Sequence, residues 1–226
     1  MKPVYKQAFA ATIPVMAGYL ILGFGFGIII KANGFPIALA AVMSTFIYAG
    51  SMQYAAIGLL TGGASLVTTA LTTLMVNIRH LFYGISMLEQ YAPTGKAKPY
   101  LIFALTDETY SLVCTDLARI PEADRSRYAL AVSLLNHLYW IAGSVAGAVA
   151  GALVSFNSQG IDFALTALFL TVFTEQWLSA KRHGPALIGV GATLLSLLVF
   201  GKEHFLIPAM GVIALLLYWY KEEAHD

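Results

Sequence analysis

The sequence is partitioned into apolar runs about as long as a bilayer is thick, and two neighbouring runs carry charge at their centres. A helix needs roughly 20 predominantly apolar residues to cross a hydrocarbon core of about 30 Å. Eight runs approach that length: Ala8–Ile30, Phe35–Leu60, Gly63–Leu88, Pro99–Leu117, Tyr128–Val154, Ile161–Ala180, Pro185–Phe200 and Phe205–Tyr220. Only Gly201–His204 separates the last two, which read equally as two spans or as a broken hairpin. The expectation is an all-α, polytopic integral membrane protein with seven or eight transmembrane helices, forming one transmembrane domain over residues 1–226. Composition agrees, with 58% of the 226 residues hydrophobic and 11% charged, where soluble domains carry about 25%.

Arg79 and His80 stand inside the third run, Asp107 and Glu108 inside the fourth. A charge at mid-bilayer costs about 2.5–3.5 kcal/mol on insertion scales, so such residues are rare and usually functional. Arg79 precedes Leu88 by nine residues and Asp107 follows Lys98 by nine, which puts each roughly 13 Å from one surface. Arg79 is therefore expected to meet Asp107 or Glu108 at one depth. Adjacent carboxylates lie about 100° apart around a helix, so one can pair with Arg79 while the other takes a cation or a proton. His137 and Gly50-Ser51 reach the same layer from other runs. His80 and His137 titrate near neutrality and can relay protons or serve as plain hydrogen-bond partners. Asn77 shares a helix face with His80, and Glu175, near the end of its run, reads as snorkelling.

Two runs show signs of discontinuity. Gly23, Gly25 and Gly27 alternate in the first, where each glycine costs about 1 kcal/mol relative to alanine in a helix. They read either as an unwound stretch exposing backbone to a solute or as a close helix contact. Tyr48-Ala49-Gly50-Ser51-Met52-Gln53 reads as a break with polar side chains facing a cavity. Gly143, Gly147 and Gly151 read as a packing stripe.

Several function classes are excluded. The net charge of +1 provides no basic field for nucleic acid, and the single Cys114 permits neither an internal disulfide nor a cysteine metal site. No GxSxG, HExxH or GxxxxGK[ST] string occurs, and the glycines of the first run follow no strand. No enzyme, cofactor or metal is expected. Met1–Lys6 is too short for a transit peptide, and the first run is read as a retained span. With eight spans, Lys2, Lys6, Arg119, Arg125, Arg127, Lys181, Arg182 and Lys221 share one side, and Lys31, Lys96, Lys98 and Lys202 the other. The positive-inside rule then puts both termini in the cytoplasm.

Three strings carry a family resemblance: Phe46-Ile47-Tyr48-Ala49-Gly50-Ser51-Met52-Gln53, Asn77-Ile78-Arg79-His80-Leu81-Phe82-Tyr83-Gly84 and Thr106-Asp107-Glu108-Thr109-Tyr110. With the glycine-rich first run and the Trp140-centred stretch Asn136–Gly151, they resemble the AzlC family, the YgaZ- and BrnF-like large subunits of branched-chain amino acid exporters. The resemblance implies export of valine, leucine, isoleucine and methionine across a bacterial or archaeal cytoplasmic membrane. It also implies a separate, small four-span AzlD-type partner. A zwitterion needs donors for its carboxylate, which Asn77, Arg79 and the backbone near Gly50-Ser51 can supply, and an acceptor for its ammonium, which Asp107 or Glu108 can supply. Gly25, Gly27, Tyr48, Gln53 and Tyr83 complete the expected substrate site, with Asp107, Glu108, His80 and His137 as candidate proton carriers. With no nucleotide motif, coupling to the proton motive force is the economical source of energy. A permease for another small neutral solute and a structural or regulatory subunit remain alternatives.

Overall fold

The computed structural model describes residues 3–153, 170, 173–174, 177–178, 180 and 182–223, and all regular structure among them is helical. The sixth run, with Glu175, falls largely outside the described residues. The chain divides into two compact units, Met1–Asp162 and Phe163–Asp226.

The first unit is built on two long helices, α1 (Pro3–Ala32) and α7 (Glu122–Leu153). At 1.5 Å per residue their 30 and 32 residues extend roughly 45 and 48 Å, longer than the apolar core of a bilayer. Glycines let them touch backbone to backbone. A Cβ on Gly23 would stand 3.0 Å from the Trp140 carbonyl, and one on Gly143 would stand 2.8 Å from that of Leu20. At Gly27 and Gly147 a Cβ would collide outright with Ser144 and Phe24. The two helices run parallel, Leu20 against Gly143, Phe24 against Gly147 and Ile28 against Gly151. The alternate glycines of the first run are thus one half of a seam whose other half is the stripe at Gly143, Gly147 and Gly151. The helix stays continuous through Pro14 and Gly23–Gly27, so the unwound stretch that the sequence allowed is not formed.

Between these helices the chain does something that run length cannot announce. The second run forms α2 (Ile37–Phe46) and α3 (Gly50–Thr61), and the chain turns back between them. Gln53 of α3 donates to Ser44 of α2 at 3.2 Å, and Tyr54 donates to the Leu22 carbonyl at 2.5 Å. The segment is a hairpin of half-helices rather than a span. Tyr48 makes the turn with φ 45, a left-handed value that a bulky residue rarely adopts. α4 (Leu66–Met87), capped by the Ser65 hydroxyl, then runs the full depth. The fourth run repeats the manoeuvre as α5 (Lys98–Phe103) and α6 (Asp107–Asp116), again folded back.

One end of the unit shows this directly. Val4, Met87, Tyr91, Leu101, Leu117 and Tyr128 share a single buried cluster, so α1 and α7 begin there, α4 ends there, and both arms of the α5–α6 hairpin return there. Tyr91, in the loop after α4, is wholly enclosed, and burial pushes its hydroxyl well above the ordinary tyrosine range. The placement corrects the expected topology. Lys96 and Lys98 lie at the same end as Lys6, Arg119, Arg125 and Arg127, because neither the second nor the fourth run crosses.

In the second unit, α8 (Gly184–His204) and α9 (Leu206–Glu223) pack antiparallel, with Gly184 against the Tyr220 ring. α8 kinks at Gly201, where φ is 71, so its straight part, Gly184–Gly201, is the length that can cross a membrane.

Candidate functional site

The two hairpins enter the first unit from opposite ends, and their tips meet beside α7. The Tyr48 ring lies 6.2 Å from Phe103 across the tips, and stacks on His137 of α7 at 4.1 Å. Each returning half-helix therefore starts in the interior and points its N-terminus, the positive end of its dipole, at the centre. The two starts differ in chemistry. α6 is capped by Thr106, whose hydroxyl accepts the Thr109 N–H at 3.2 Å, and carries Asp107 and Glu108 in its first turn. α3 has no side-chain cap, and Gly50 at its start lies against the Trp140 ring, 3.0 Å from where a Cβ would stand.

Around these starts the ionised groups pair off. Arg79 of α4 binds Asp107 at 2.9 Å through Nη1 and donates to the Ser51 hydroxyl at 3.2 Å through Nη2. One guanidinium thus ties both half-helix starts together. Tyr83 donates to the other Asp107 oxygen at 2.9 Å. Glu108 points elsewhere, accepting from Tyr19 of α1 at 2.7 Å, and is exposed. The two neighbouring carboxylates have different partners: Asp107 is held by Arg79 and Tyr83, whereas Glu108 accepts from Tyr19 through one oxygen, and its other oxygen has no hydrogen-bond partner among the described residues.

Behind them lies a buried polar shelf. The Tyr19 hydroxyl is 2.6 Å from that of Thr106, and Asn136 donates to Thr109 at 3.0 Å. The Tyr48 hydroxyl, Asn136 Oδ1, Arg79 Nε and Asn77 Oδ1 are buried without a protein partner. Buried polar groups are normally paired, so each of these atoms has hydrogen-bonding capacity left for water or a solute. Loss of the Thr106 hydroxyl removes a cap worth about 1 kcal/mol and one edge of this shelf. Thr106→Ala is expected to lower the thermal midpoint by a few degrees in detergent, read by heating followed by size-exclusion chromatography.

Not every expected residue belongs to this centre. Gly25 lies 3.1 Å, measured from its Cβ position, from the Tyr54 hydroxyl, and Gly27 is consumed by the α1–α7 seam. Gln53 is fully buried, its amide spanning Ser44 at 3.2 Å and the Trp140 N–H at 2.9 Å, so it braces the first hairpin against α7. His137 is engaged at both ring nitrogens, by the Ser44 carbonyl at 3.1 Å and the Tyr100 hydroxyl at 3.2 Å. His80 is half-buried and meets Tyr83 edge-on at 5.9 Å. Tyr19, Thr106, Thr109 and Asn136 were not among the expected site residues, although Thr106, Thr109 and Asn136 stand in stretches that carry the family resemblance. The Thr-x-x-Thr spacing that opens α6 was a capping signal, and Asn136 adjoins an intramembrane histidine.

Opposed half-helix hairpins around a charged centre, in an apolar chain whose described regular structure is all helical, define a membrane protein of the transporter class. The chain belongs to the AzlC family, whose model, described as AzlC protein, matches residues 14–154. It is 46% identical to the Branched-chain amino acid transport protein AzlC of Bacillus subtilis, over 94% of this chain and 85% of that one. An Uncharacterized membrane protein of Helicobacter pylori 26695 is 37% identical over 97% of this chain and 96% of its own. Inner membrane protein YgaZ of Escherichia coli is 27% identical over 87% and 80%. No solved structure matches. Family and fold together make this a membrane transport protein rather than an enzyme.

Proposed function

We propose that the protein exports branched-chain amino acids across the cytoplasmic membrane, driven by the proton motive force. The observation that carries the reading is the pair of neighbouring carboxylates at the start of α6, of which Asp107 is bound by Arg79 while Glu108 turns to Tyr19. A zwitterion presents its carboxylate to Arg79, Ser51 and the uncapped start of α3, and its ammonium to Glu108. The guanidinium fork suits a carboxylate. Glu108, with one oxygen free, exchanges a proton in the same cycle. The substrate class follows the name of the Bacillus subtilis relative.

Orientation gains support from the corrected topology. Among the described residues of the first unit, Lys6, Lys96, Lys98, Arg119, Arg125 and Arg127 gather at one end and only Lys31 stands at the other. Such an asymmetry favours that end, and the N-terminus, in the cytoplasm. The reading has an even number of crossings and both termini inside, and it includes a separate four-span AzlD-type subunit.

Counterflow of labelled leucine, valine and methionine into proteoliposomes, with and without that subunit, tests the proposal. Exchange of leucine and valine, accelerated by a pH gradient, is the expected result; no exchange of any amino acid in either preparation overturns it. Glu108→Gln is expected to keep leucine exchange while losing its response to the gradient, and Asp107→Asn to lose exchange altogether. Equal, mild effects of the two would remove both carboxylates from the mechanism.

A further inference from the structure

We infer that α2–α4 and α5–α7 are two inverted copies of one hairpin-and-span unit, and that access to the site alternates as the copies exchange conformations. The inference rests on the transport reading and supplies its moving parts. Each copy is a half-helix, a three-residue break, a returning half-helix and a full-depth helix. The breaks, 47–49 and 104–106, stand 57 positions apart, and so do the helix starts Gly50 and Asp107. The same offset carries His80-Leu81-Phe82-Tyr83 onto His137-Leu138-Tyr139-Trp140. The copies point in opposite directions, because α4 ends at the clustered end of the unit where α7 begins.

Side-chain contacts obey that offset in both directions. Tyr83 of the first copy stacks on Tyr110 of the second at 4.4 Å, and their counterparts, Trp140 and Gln53, are joined at 2.9 Å. Tyr83 also donates to Asp107, the first residue of α6, while Trp140 covers Gly50, the first residue of α3. Each full-depth helix thus grips the opposite hairpin at equivalent places, which is what a two-fold axis in the membrane plane produces.

The symmetry is broken at the histidines. His137 is buried, bound to the Ser44 carbonyl and stacked on Tyr48. The equivalent set is His80 with Leu101 and Leu105, yet His80 is half-exposed, with Tyr83 as its aromatic neighbour. The left-handed backbone of Tyr48 likewise has no counterpart at Leu105. Inverted repeats in unequal conformations are the structural basis of alternating access, the opposite state being reached when the copies trade places. In that state His80 docks on Leu101 and His137 leaves Ser44.

Cysteine pairs in the full-length Cys114→Ser protein, in proteoliposomes, test this. Ser44→Cys with His137→Cys is expected to cross-link in the resting protein, and His80→Cys with Leu101→Cys to cross-link in a separate population. Leucine is expected to change the two yields in opposite directions by severalfold. Absence of the His80–Leu101 product under every condition, while the first pair cross-links, overturns the exchange. So does formation of both products in the same molecules of the four-cysteine variant. The unmodified protein provides a second reading that needs no substitution. Hydrogen exchange over 44–54 and 101–111 is expected to shift in opposite senses on adding leucine or imposing a pH gradient; shifts of the same sign, or none under either condition, overturn the exchange. An opposite shift with the gradient alone sustains it and counts against leucine only.

Discussion

Arg79→Ala is expected to abolish amino acid exchange, and Asp107→Ala added to it is expected to restore stability without restoring exchange. Removing one partner of a fully buried ion pair costs about 3–5 kcal/mol, because the other charge is left unpaired. Both side chains are about one-third exposed, at 34% and 36%, so screening reduces the expected cost to about 2 kcal/mol. The double substitution removes both charges together, so a purely structural bridge would regain activity with stability. A functional role for either member of the pair predicts a well-folded, inactive protein. Arg79→Lys sharpens the distinction, since an ammonium keeps the charge but not the fork that spans Asp107 and Ser51. Leucine exchange by that variant is expected to need at least about tenfold more substrate, the equivalent of roughly 1.4 kcal/mol. Full activity in the double variant would reduce Arg79 to a structural tie.

Gly147→Val is expected to cost the most in stability. Its side chain would occupy the space of the Phe24 backbone, so α1 and α7 must separate along the seam. Overpacking a core with side chains costs about 1–3 kcal/mol, and backbone cannot move aside as a rotamer does, which puts this change at or above the top of that range. Gly18 supplies the control, for nothing lies within 4 Å of its Cβ position. Gly18→Ala is expected to be neutral or slightly stabilising, as alanine is favoured over glycine in a helix by about 1 kcal/mol. Membrane accumulation and the thermal midpoint of both variants, measured side by side, check the contrast. Equal behaviour would mean that the seam is not what holds the unit together.

Run length made the membrane class legible, and counting residues from the loops placed Arg79 and Asp107 at one depth. Those inferences use distances along a helix, which the sequence encodes directly. The direction of travel is different. An apolar run has no sign, and 25 residues from Ile37 to Thr61 fit one span or two half-helices equally well. At the first break, Gly50-Ser51 gave a local warning. At the second, Ala104-Leu105-Thr106 contains neither glycine nor proline, and only the capping spacing of Thr106 and Thr109 marked it. The seam glycines were visible singly, but nothing along the chain matched those near residue 25 with those near residue 145. The internal repeat is fainter still, since His-Leu followed by two aromatic residues is almost all that the two copies share in the region of the site.

The α1–α7 seam also governs the order in which the molecule can be assembled. Its two sides emerge from the ribosome roughly 120 residues apart, on the order of ten seconds at about 5–20 residues per second. Throughout that interval α1 stands in the membrane with its glycine face unmatched. Both hairpins are made before the helix that carries His137, Asn136 and Trp140, the residues on which their tips come to rest. A nascent chain halted before Glu122 therefore holds every charge of the site and no wall to set it against. Completion of α7 is the step that closes the first unit.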